Sequence, residues 1–162
     1  ATMLRPSLIV GPEDGFFQRF ARMSLIAPAL PLLLGGRTLF QPVLVTDVAQ
    51  AILACVAHPQ TQGHTYELAG PSTYSFRQLL GLMARITNRR PWLVALPTPL
   101  AKCIALMSEL APFPPMMTRD QIALLAHDNI AHAGTPGVKE LGIAPTPLEA
   151  ALPQLLARFV KA

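Results

Sequence analysis

Proline limits the length of every element that this chain can form. The 17 prolines are spread along the sequence, and each removes a backbone N–H and disfavours a helix interior. Pro28 and Pro31 end the helix that the apolar spacing predicts over 16–26, and the prolines of 112–115 end another. The pattern therefore predicts short helices and strands joined by stiff, ordered loops.

The same prolines argue against a membrane-spanning helix. The most apolar window, 23–34, contains Pro28 and Pro31 and is well short of the about 20 apolar residues that a bilayer requires. The first residues show no charged leader followed by an apolar stretch, so we expect a cytoplasmic protein without a signal peptide. Cys55 and Cys103 lack a Cys-x-x-Cys spacing, which favours reduced, buried thiols over the alternative of a disulfide.

Charged residues are unusually rare in this chain. They make up 14% of it, while apolar residues make up 51%, against about 25% charged residues in an average soluble domain. Such a chain either buries an extra face against a partner or lacks the part of itself that would cover that face. Its net charge of +4 comes from scattered basic residues, so no nucleic-acid partner is expected.

Helical and extended patterns alternate along the sequence, which predicts an α/β fold. Strands are expected over 2–10, 38–43, 64–69 and 91–96. Helices are expected over 16–26, 47–58 with Thr46 as N-cap, 75–88, from 98 to the prolines of 112–115, and after two later start signals. Three capping boxes begin helices, at 75–78, 118–121 and 146–149, and Pro153 is expected to kink the last helix.

No self-contained catalytic or metal site is evident in the sequence. His127 and His132 are five residues apart and would not share a helix face. The chain has no Gly-x-Ser-x-Gly elbow, no Gly-x-Gly-x-x-Gly phosphate loop and no tyrosine followed four residues later by lysine. We therefore assign no catalytic residue and no metal ligand.

Three segments nevertheless carry a family resemblance, LRPSLIVGPEDGFFQRFA, FQPVLVTDVAQAI and TYELAGPSTYSFRQLL. In this order they resemble the C-terminal half of the extended short-chain dehydrogenase/reductases, the NAD-dependent epimerase/dehydratase family. With TRDQIALLAHDNI, they are similar to its atypical branch related to the NAD(P)H-binding accessory subunit of respiratory complex I, NADH:ubiquinone oxidoreductase. The resemblance covers essentially the whole chain.

The resemblance implies a fold and a domain layout. The chain would be a single C-terminal fragment, comprising part of a Rossmann-like NAD(P)-binding fold and a mainly helical substrate lobe with short strands. Residues 1–12 would be the last part of the Rossmann sheet. Residues 13–162 would be mostly substrate lobe, with 45–70 returning a helix and a strand to the sheet.

The resemblance also implies site residues. Pro6, Ser7 and Leu8 would end a strand beneath the nicotinamide ring of a cofactor. Phe16, Arg19 and Gln41 would line the substrate cleft above it. Simpler roles remain open: strand core for Pro6 and Leu8, an exposed charge for Arg19, and a structural carboxylate for Asp47 at a helix start.

Two functions follow from the resemblance. The chain would be the substrate-lobe half of an NAD(P)-binding oxidoreductase, inactive alone because the glycine fingerprint and the Tyr-x-x-x-Lys pair are absent. Alternatively it belongs to a non-catalytic assembly subunit of complex I, peripheral on the inner side of the respiratory membrane. NAD or NADP would bind the intact protein but not this chain tightly. Expected partners are the N-terminal nucleotide-binding half, a second copy through an exposed apolar face, or the respiratory complex.

Overall fold

The computed structural model describes residues 1–97, 99, 103 and 119–161. The chain divides into two compact units, each assembled from three stretches. Unit 1 comprises Ala1–Asp14, Phe40–Tyr74 and Asn129–Leu155, and unit 2 comprises Gly15–Leu39, Ser75–Asp128 and Leu156–Ala162. Each unit is therefore built from segments distant in sequence.

The described residues form eight strands and five α-helices. The strands are β1 (Met3–Pro6), β2 (Ile9–Val10), β3 (Ala29–Leu33), β4 (Leu39–Phe40), β5 (Val43–Leu44), β6 (Thr65–Leu68), β7 (Tyr74–Ser75) and β8 (Trp92–Leu96). The helices are α1 (Phe17–Ile26), α2 (Val45–Ala57), α3 (Phe76–Ile86), α4 (Arg119–Leu125) and α5 (Leu148–Leu155). None of these helices is long and apolar enough to cross a membrane.

In unit 1 the strands pair in parallel, β1 with β6 and β2 with β5. The N–H of Met3 donates to the His64 carbonyl and that of Ser7 to the Leu68 carbonyl. Since alternate residues of a strand point to opposite edges, the position of Pro6 faces away from β6. The proline therefore removes no hydrogen bond from the β1–β6 ladder, which explains how a strand can contain it.

The core of unit 1 lies between the β1–β6 ladder and α2. Its buried members are Ala51 from α2, Tyr66 and Leu68 from β6, and Val138 and Ile143 from a later loop. Leu4 of β1 packs against the same cluster. Met3 and Arg5, which alternate with Leu4 along β1, lie on the other face of the ladder and are exposed.

Unit 2 contains the parallel ladder of β3 and β8 together with α1 and α3. Phe16, Phe17, Phe20 and Phe76 form its aromatic cluster, with ring centroids 5.0–5.7 Å apart in the contacts that join them. Such edge-on and tilted pairs contribute about 0.5–1.5 kcal/mol each beyond their burial. This cluster fixes α1 against α3.

Several sequence predictions of local structure need correction. The strand over 2–10 is interrupted by a bend at Ser7 and Leu8. Residues 29–33 form β3, whereas the sequence predicts only the end of a helix at Pro31. The N–H of Trp92 donates to the Pro28 carbonyl, and in this register the backbone nitrogen of Pro31 faces away from β8, so the proline removes no hydrogen bond from the ladder. The helix over 47–58 begins at Val45, so Thr46 is not its N-cap.

Two of the three capping boxes that are predicted to begin helices lie within the described residues. The capping box at Ser75 and Gln78 is present with both hydrogen bonds, 3.2 and 2.7 Å. Thr146 precedes α5, and its hydroxyl donates to the carboxylate of Asp47. The helix predicted from Thr98 and the Thr118 cap lie outside the described residues.

Candidate functional site

The candidate site lies in unit 1, where β1 and β6 end. Ligands of open parallel sheets bind at the carboxyl ends of the strands. Here the N–H of Ser7 donates to the Leu68 carbonyl at 2.9 Å, so the chain leaving β1 stays beside the end of β6. Pro6, Ser7 and Leu8, the sequence-predicted cofactor residues, all lie at this end.

The carbonyl of Asn129 joins two of the predicted site residues. It accepts a hydrogen bond from the Ser7 hydroxyl at 2.6 Å and from the backbone N–H of Gln41 at 3.0 Å. Residues 41 and 129 belong to different stretches of unit 1. Ser7 and Gln41 are thus brought to the same backbone group, although they are 34 positions apart in the sequence.

The side-chain amide of Gln41 is committed to backbone partners. Its Nε2 donates to the Gly70 carbonyl at 2.9 Å, and its Oε1 accepts from the N–H of Ala131 at 3.1 Å. A neutral amide can bridge a carbonyl and an N–H in this way because it carries both a donor and an acceptor. Gln41 consequently holds three segments of unit 1 together.

Gly70 is required by the close approach of the chain beside Gln41. A Cβ at this position would lie 1.9 Å from the carbonyl oxygen of Pro42. The Gly70 N–H in turn donates to the Gln41 carbonyl at 3.4 Å. The turn after β6 therefore packs directly on the backbone that leads into β5.

An acidic side chain from β6 holds the loop that follows Asn129. Glu67 accepts from the backbone N–H of His132 at 2.6 Å, and the His132 Nδ1 lies 3.0 Å from its other oxygen. The hydrogen bond from the His132 N–H is the main cause that lowers the pKa of Glu67 below 4.5, with the nearby His132 ring and Arg5 acting in the same direction. Glu67 is therefore held as a carboxylate.

Asp47 is buried in the first turn of α2 and bound to the chain before α5. Its two oxygens accept from the Thr146 N–H at 2.7 Å and the Thr146 hydroxyl at 3.1 Å. Among the alternatives that the sequence left open, this geometry corresponds to the structural carboxylate.

Tyr74 and Glu149 form a second link between distant parts of unit 1. The phenol donates a short hydrogen bond to the Glu149 carboxylate. Burial, with the hydrogen bond and negative charge of Glu149 adding to it, raises the pKa of Tyr74 to about 12. The phenol is thus a stable proton donor, unsuited to giving up its proton near neutral pH.

The two remaining predicted site residues belong to unit 2. Phe16 is buried in the aromatic cluster, where it contacts Phe20 and Phe76. Arg19 is half-buried on α1. Within the described residues, no group of three or more His, Cys, Asp or Glu is placed to hold a metal ion.

Sequence reasoning missed the residues of 129–132. Their role depends on backbone groups, the Asn129 carbonyl and the N–H groups of Ala131 and His132. Backbone groups are present at every position, so no residue type signals this role. The only available hint is the pair of polar residues, Gln41 and Glu67, within segments predicted to be extended.

Comparison with known proteins places these features in a family context. The chain is 33% identical over 98% of its length to the mitochondrial NADH dehydrogenase 1 alpha subcomplex subunit 9 of Mus musculus, and covers 42% of that protein. It is 32% identical over 99% of its length to the same subunit of Arabidopsis thaliana, again covering 42%. The chain therefore spans less than half of these relatives. No protein-family model matches it.

A solved structure shows the shared fold. The dTDP-glucose 4,6-dehydratase of Streptomyces venezuelae, crystallised with NAD, matches 96% of this chain with a TM-score of 0.66, at 18% identity and over 42% of its own chain. The sequence-predicted α/β fold with a Rossmann-like part is confirmed by this match. The chain is a homologue of the subunit 9 proteins of NADH dehydrogenase, and it shares its fold with part of solved epimerase and dehydratase structures.

Proposed function

We propose that this chain is the substrate-lobe half of an NAD(P)-binding protein of the epimerase/dehydratase type. The whole protein would be a non-catalytic accessory subunit of a respiratory NADH dehydrogenase. A nucleotide-binding half would complete the sheet of unit 1 by pairing along β1. The observation that carries this proposal is the unpaired edge of β1, together with the exposed outer face of the β1–β6 ladder.

The edge of β1 supports a further strand. Among the described residues, β6 is the one strand that pairs with β1. The alternation of the ladder turns the N–H of Leu4 to the opposite edge, beside the Pro6 position. Parallel sheets occur almost only with both faces covered, and an unpaired strand edge is a template for a further strand, whereas this ladder alone has one exposed face and the open edge of β1.

The outer face of α2 supports a covering layer. The helix turns Ala51 into the core of unit 1, while Leu53 and Val56 remain 68% and 80% exposed. Ile52 lies beside them and is half exposed. Three large apolar side chains on one helix face indicate a buried interface in the complete protein.

The predicted cofactor residues fit the edge of a nicotinamide site. Pro6, Ser7 and Leu8 lie at the carboxyl end of a parallel strand, the usual ligand position of such sheets. The Ser7 hydroxyl is bound to Asn129, so backbone peptide groups would meet the nicotinamide. Phe16, Arg19 and Gln41 are proposed as substrate-cleft residues on the family resemblance alone. The phosphate-binding glycines would belong to the nucleotide-binding half. A bound cofactor would either transfer hydride or stabilise the fold by filling its binding site.

A structural role accounts for the polar side chains better than catalysis does. Ser7, Gln41 and Asp47 each bind backbone groups of this chain. None of these three therefore presents a side chain poised for proton transfer. The likeness to subunits of NADH dehydrogenase points to the same role, at the surface of a respiratory membrane.

Calorimetric titration of NADH and NADPH tests the proposal. The 162-residue chain should show no saturable binding at micromolar concentrations, while the longer polypeptide with the nucleotide-binding half should bind at one site. When a panel of sugar nucleotides is added to the longer polypeptide with its bound cofactor, the cofactor should not be oxidised or reduced. Saturable binding by the chain alone would contradict the claim that it holds only part of the cofactor site. Cofactor turnover would show that the whole protein is an active oxidoreductase and not a non-catalytic subunit.

A further inference from the structure

Charge is divided very unevenly between the two units. Unit 2 holds eleven of the 13 Lys and Arg residues and three of the nine Asp and Glu residues, a net charge of +8. Unit 1 holds the other two basic and six acidic residues, a net charge of −4. The modest total of +4 therefore conceals a strongly basic unit, whose field favours an anionic partner.

Two connections of unit 2 lie side by side at one end of its ladder. One joins α1, which ends at Ile26, to β3, and the other joins α3, which ends at Ile86, to β8. The register pairs Ala29 with Trp92, and the N–H of Trp92 donates to the Pro28 carbonyl at 2.8 Å. The two helix ends and the two strand starts consequently share one end of the unit.

The last residues of the chain lie at the same end. The N–H of Lys161 donates to the Thr87 carbonyl at 2.9 Å, and the Nε of Arg89 donates to the Phe159 carbonyl at 3.3 Å. Thr87 and Arg89 belong to the connection between α3 and β8. We name this end of unit 2 the basic end.

Large apolar side chains are exposed at the basic end. Ile26 is 82% exposed and Trp92 is 78% exposed. Leu25, next to Ile26 in the chain, and Val160, next to Lys161, are each about half exposed. Exposed apolar side chains grouped in this way mark an interaction surface. Tryptophan is enriched at the interface between lipid headgroups and acyl chains, where its indole ring is partly in contact with hydrocarbon.

Basic side chains surround these apolar ones. Arg85, Arg90 and Lys161 are exposed at or beside the two connections, and Arg22 lies one helical turn before Ile26. The segments 15–39, 75–97 and 156–162 contain no Asp or Glu. The basic end is thus free of acidic residues within these segments, and the attraction to an anionic surface is not offset there.

We propose that the basic end docks this protein on an anionic lipid surface, with Trp92 and Ile26 entering the headgroup layer and the arginines and Lys161 contacting the phosphates. A lipid surface fits better than an acidic protein because the exposed side chains combine aromatic, aliphatic and basic groups, as in interfacial membrane segments. This inference depends on unit 2 alone and not on the nucleotide-binding role of unit 1.

Vesicle binding by the 162-residue chain tests the inference. Vesicles of equal parts phosphatidylcholine and phosphatidylglycerol should sediment the chain, and pure phosphatidylcholine vesicles should not. Trp92 is the one tryptophan of the chain, so its fluorescence should shift to shorter wavelength on binding. Raised salt should weaken the binding.

A matched pair of variants locates the surface. R85Q/R90Q removes two charges from the basic end, and R37Q/R77Q removes two exposed charges elsewhere in unit 2. The first variant should lose roughly fivefold in vesicle affinity for each charge removed, the second much less, and Trp92→Ala should also bind weakly. Equal losses in the two double variants would contradict a defined surface.

Two further results would overturn the inference. The first is the absence of sedimentation with the anionic vesicles by a chain whose circular dichroism shows it to be folded. The second is binding to immobilised polyglutamate without binding to vesicles, which would assign the basic end to an acidic protein. Sedimentation with an unshifted Trp92 emission would contradict the entry of Trp92 into the headgroup layer.

Discussion

Individual polar side chains near the end of β1 stabilise unit 1 by binding backbone groups. Gln41 joins Gly70 to Ala131, the Ser7 hydroxyl binds Asn129, and Glu67 binds His132. The sequence identified Ser7 and Gln41 as important positions, but as cofactor and substrate contacts. Their binding to the backbone groups of Asn129 and Ala131 could not be anticipated, because these residues lie more than 85 positions beyond Gln41.

Replacement of Gln41 should expose its structural role. Gln41→Ala leaves the Gly70 carbonyl and the Ala131 N–H without their partner, at a cost of about 1–3 kcal/mol in the free energy of unfolding. Gln50→Ala on the exposed side of α2 is the matched control and should change stability by less than about 0.5 kcal/mol. Urea unfolding of both variants measures the difference, and equal stabilities would contradict the role of the amide.

Glu67 should make the stability of the chain sensitive to acid. Its pKa is lowered from 4.5 in the folded state, so the carboxylate stabilises the fold above that value, and this stabilisation is lost as the pH falls through and below 4.5. Glu67→Gln should lose less stability than the wild type between about pH 6 and about pH 3. Urea unfolding at stepped pH tests this, and parallel curves for the two proteins would refute it.

At the scale of elements, two glycines should respond oppositely to the same substitution. Gly70→Ala places a Cβ 1.9 Å from the Pro42 oxygen, which should destabilise unit 1 by at least about 2 kcal/mol. Gly81→Ala lies on the exposed side of α3 with open space around the new Cβ, and should stabilise by about 0.5–1 kcal/mol. Thermal unfolding measures both, and a tolerated Gly70→Ala would contradict the close approach.

The two neighbouring positions in β1 should differ in their tolerance of proline. The Pro6 position faces away from β6, so Pro6→Ala should change stability by less than about 1 kcal/mol in the 162-residue chain. Arg5 faces β6 between Met3 and Ser7, so Arg5→Pro should cost at least about 2 kcal/mol through the lost ladder hydrogen bond. Similar unfolding midpoints for the two variants would show that the register is different.

Helices were more predictable than strands in this chain. The Ser75–Gln78 capping box and the periodic apolar residues define α3 and α1 locally. The sequence did not predict β3, because Pro31 indicates the end of an element. The ladder with β8 tolerates this proline because its backbone nitrogen faces away from β8. Strand identity depends on a partner distant in sequence, and so do the contacts of Gln41 and Asp47.

At the scale of the whole molecule, the two units differ in both charge and exposed groups. Unit 1 presents a strand edge and the apolar face of α2, while unit 2 presents the basic end. The sequence predicted an uncovered apolar face from composition alone. The sequence alone does not reveal the division of charge between the units, because each unit is assembled from three separated stretches.

The central claim is that a nucleotide-binding half pairs with the open edge of β1. Amide hydrogen exchange at single residues tests it most directly, in the 162-residue chain and in the longer protein. The Met3 and Ser7 amides face β6 and should be protected in both. The Leu4 amide should exchange rapidly in the chain alone and become protected in the longer protein. A Leu4 amide that exchanges equally fast in both would contradict the claim.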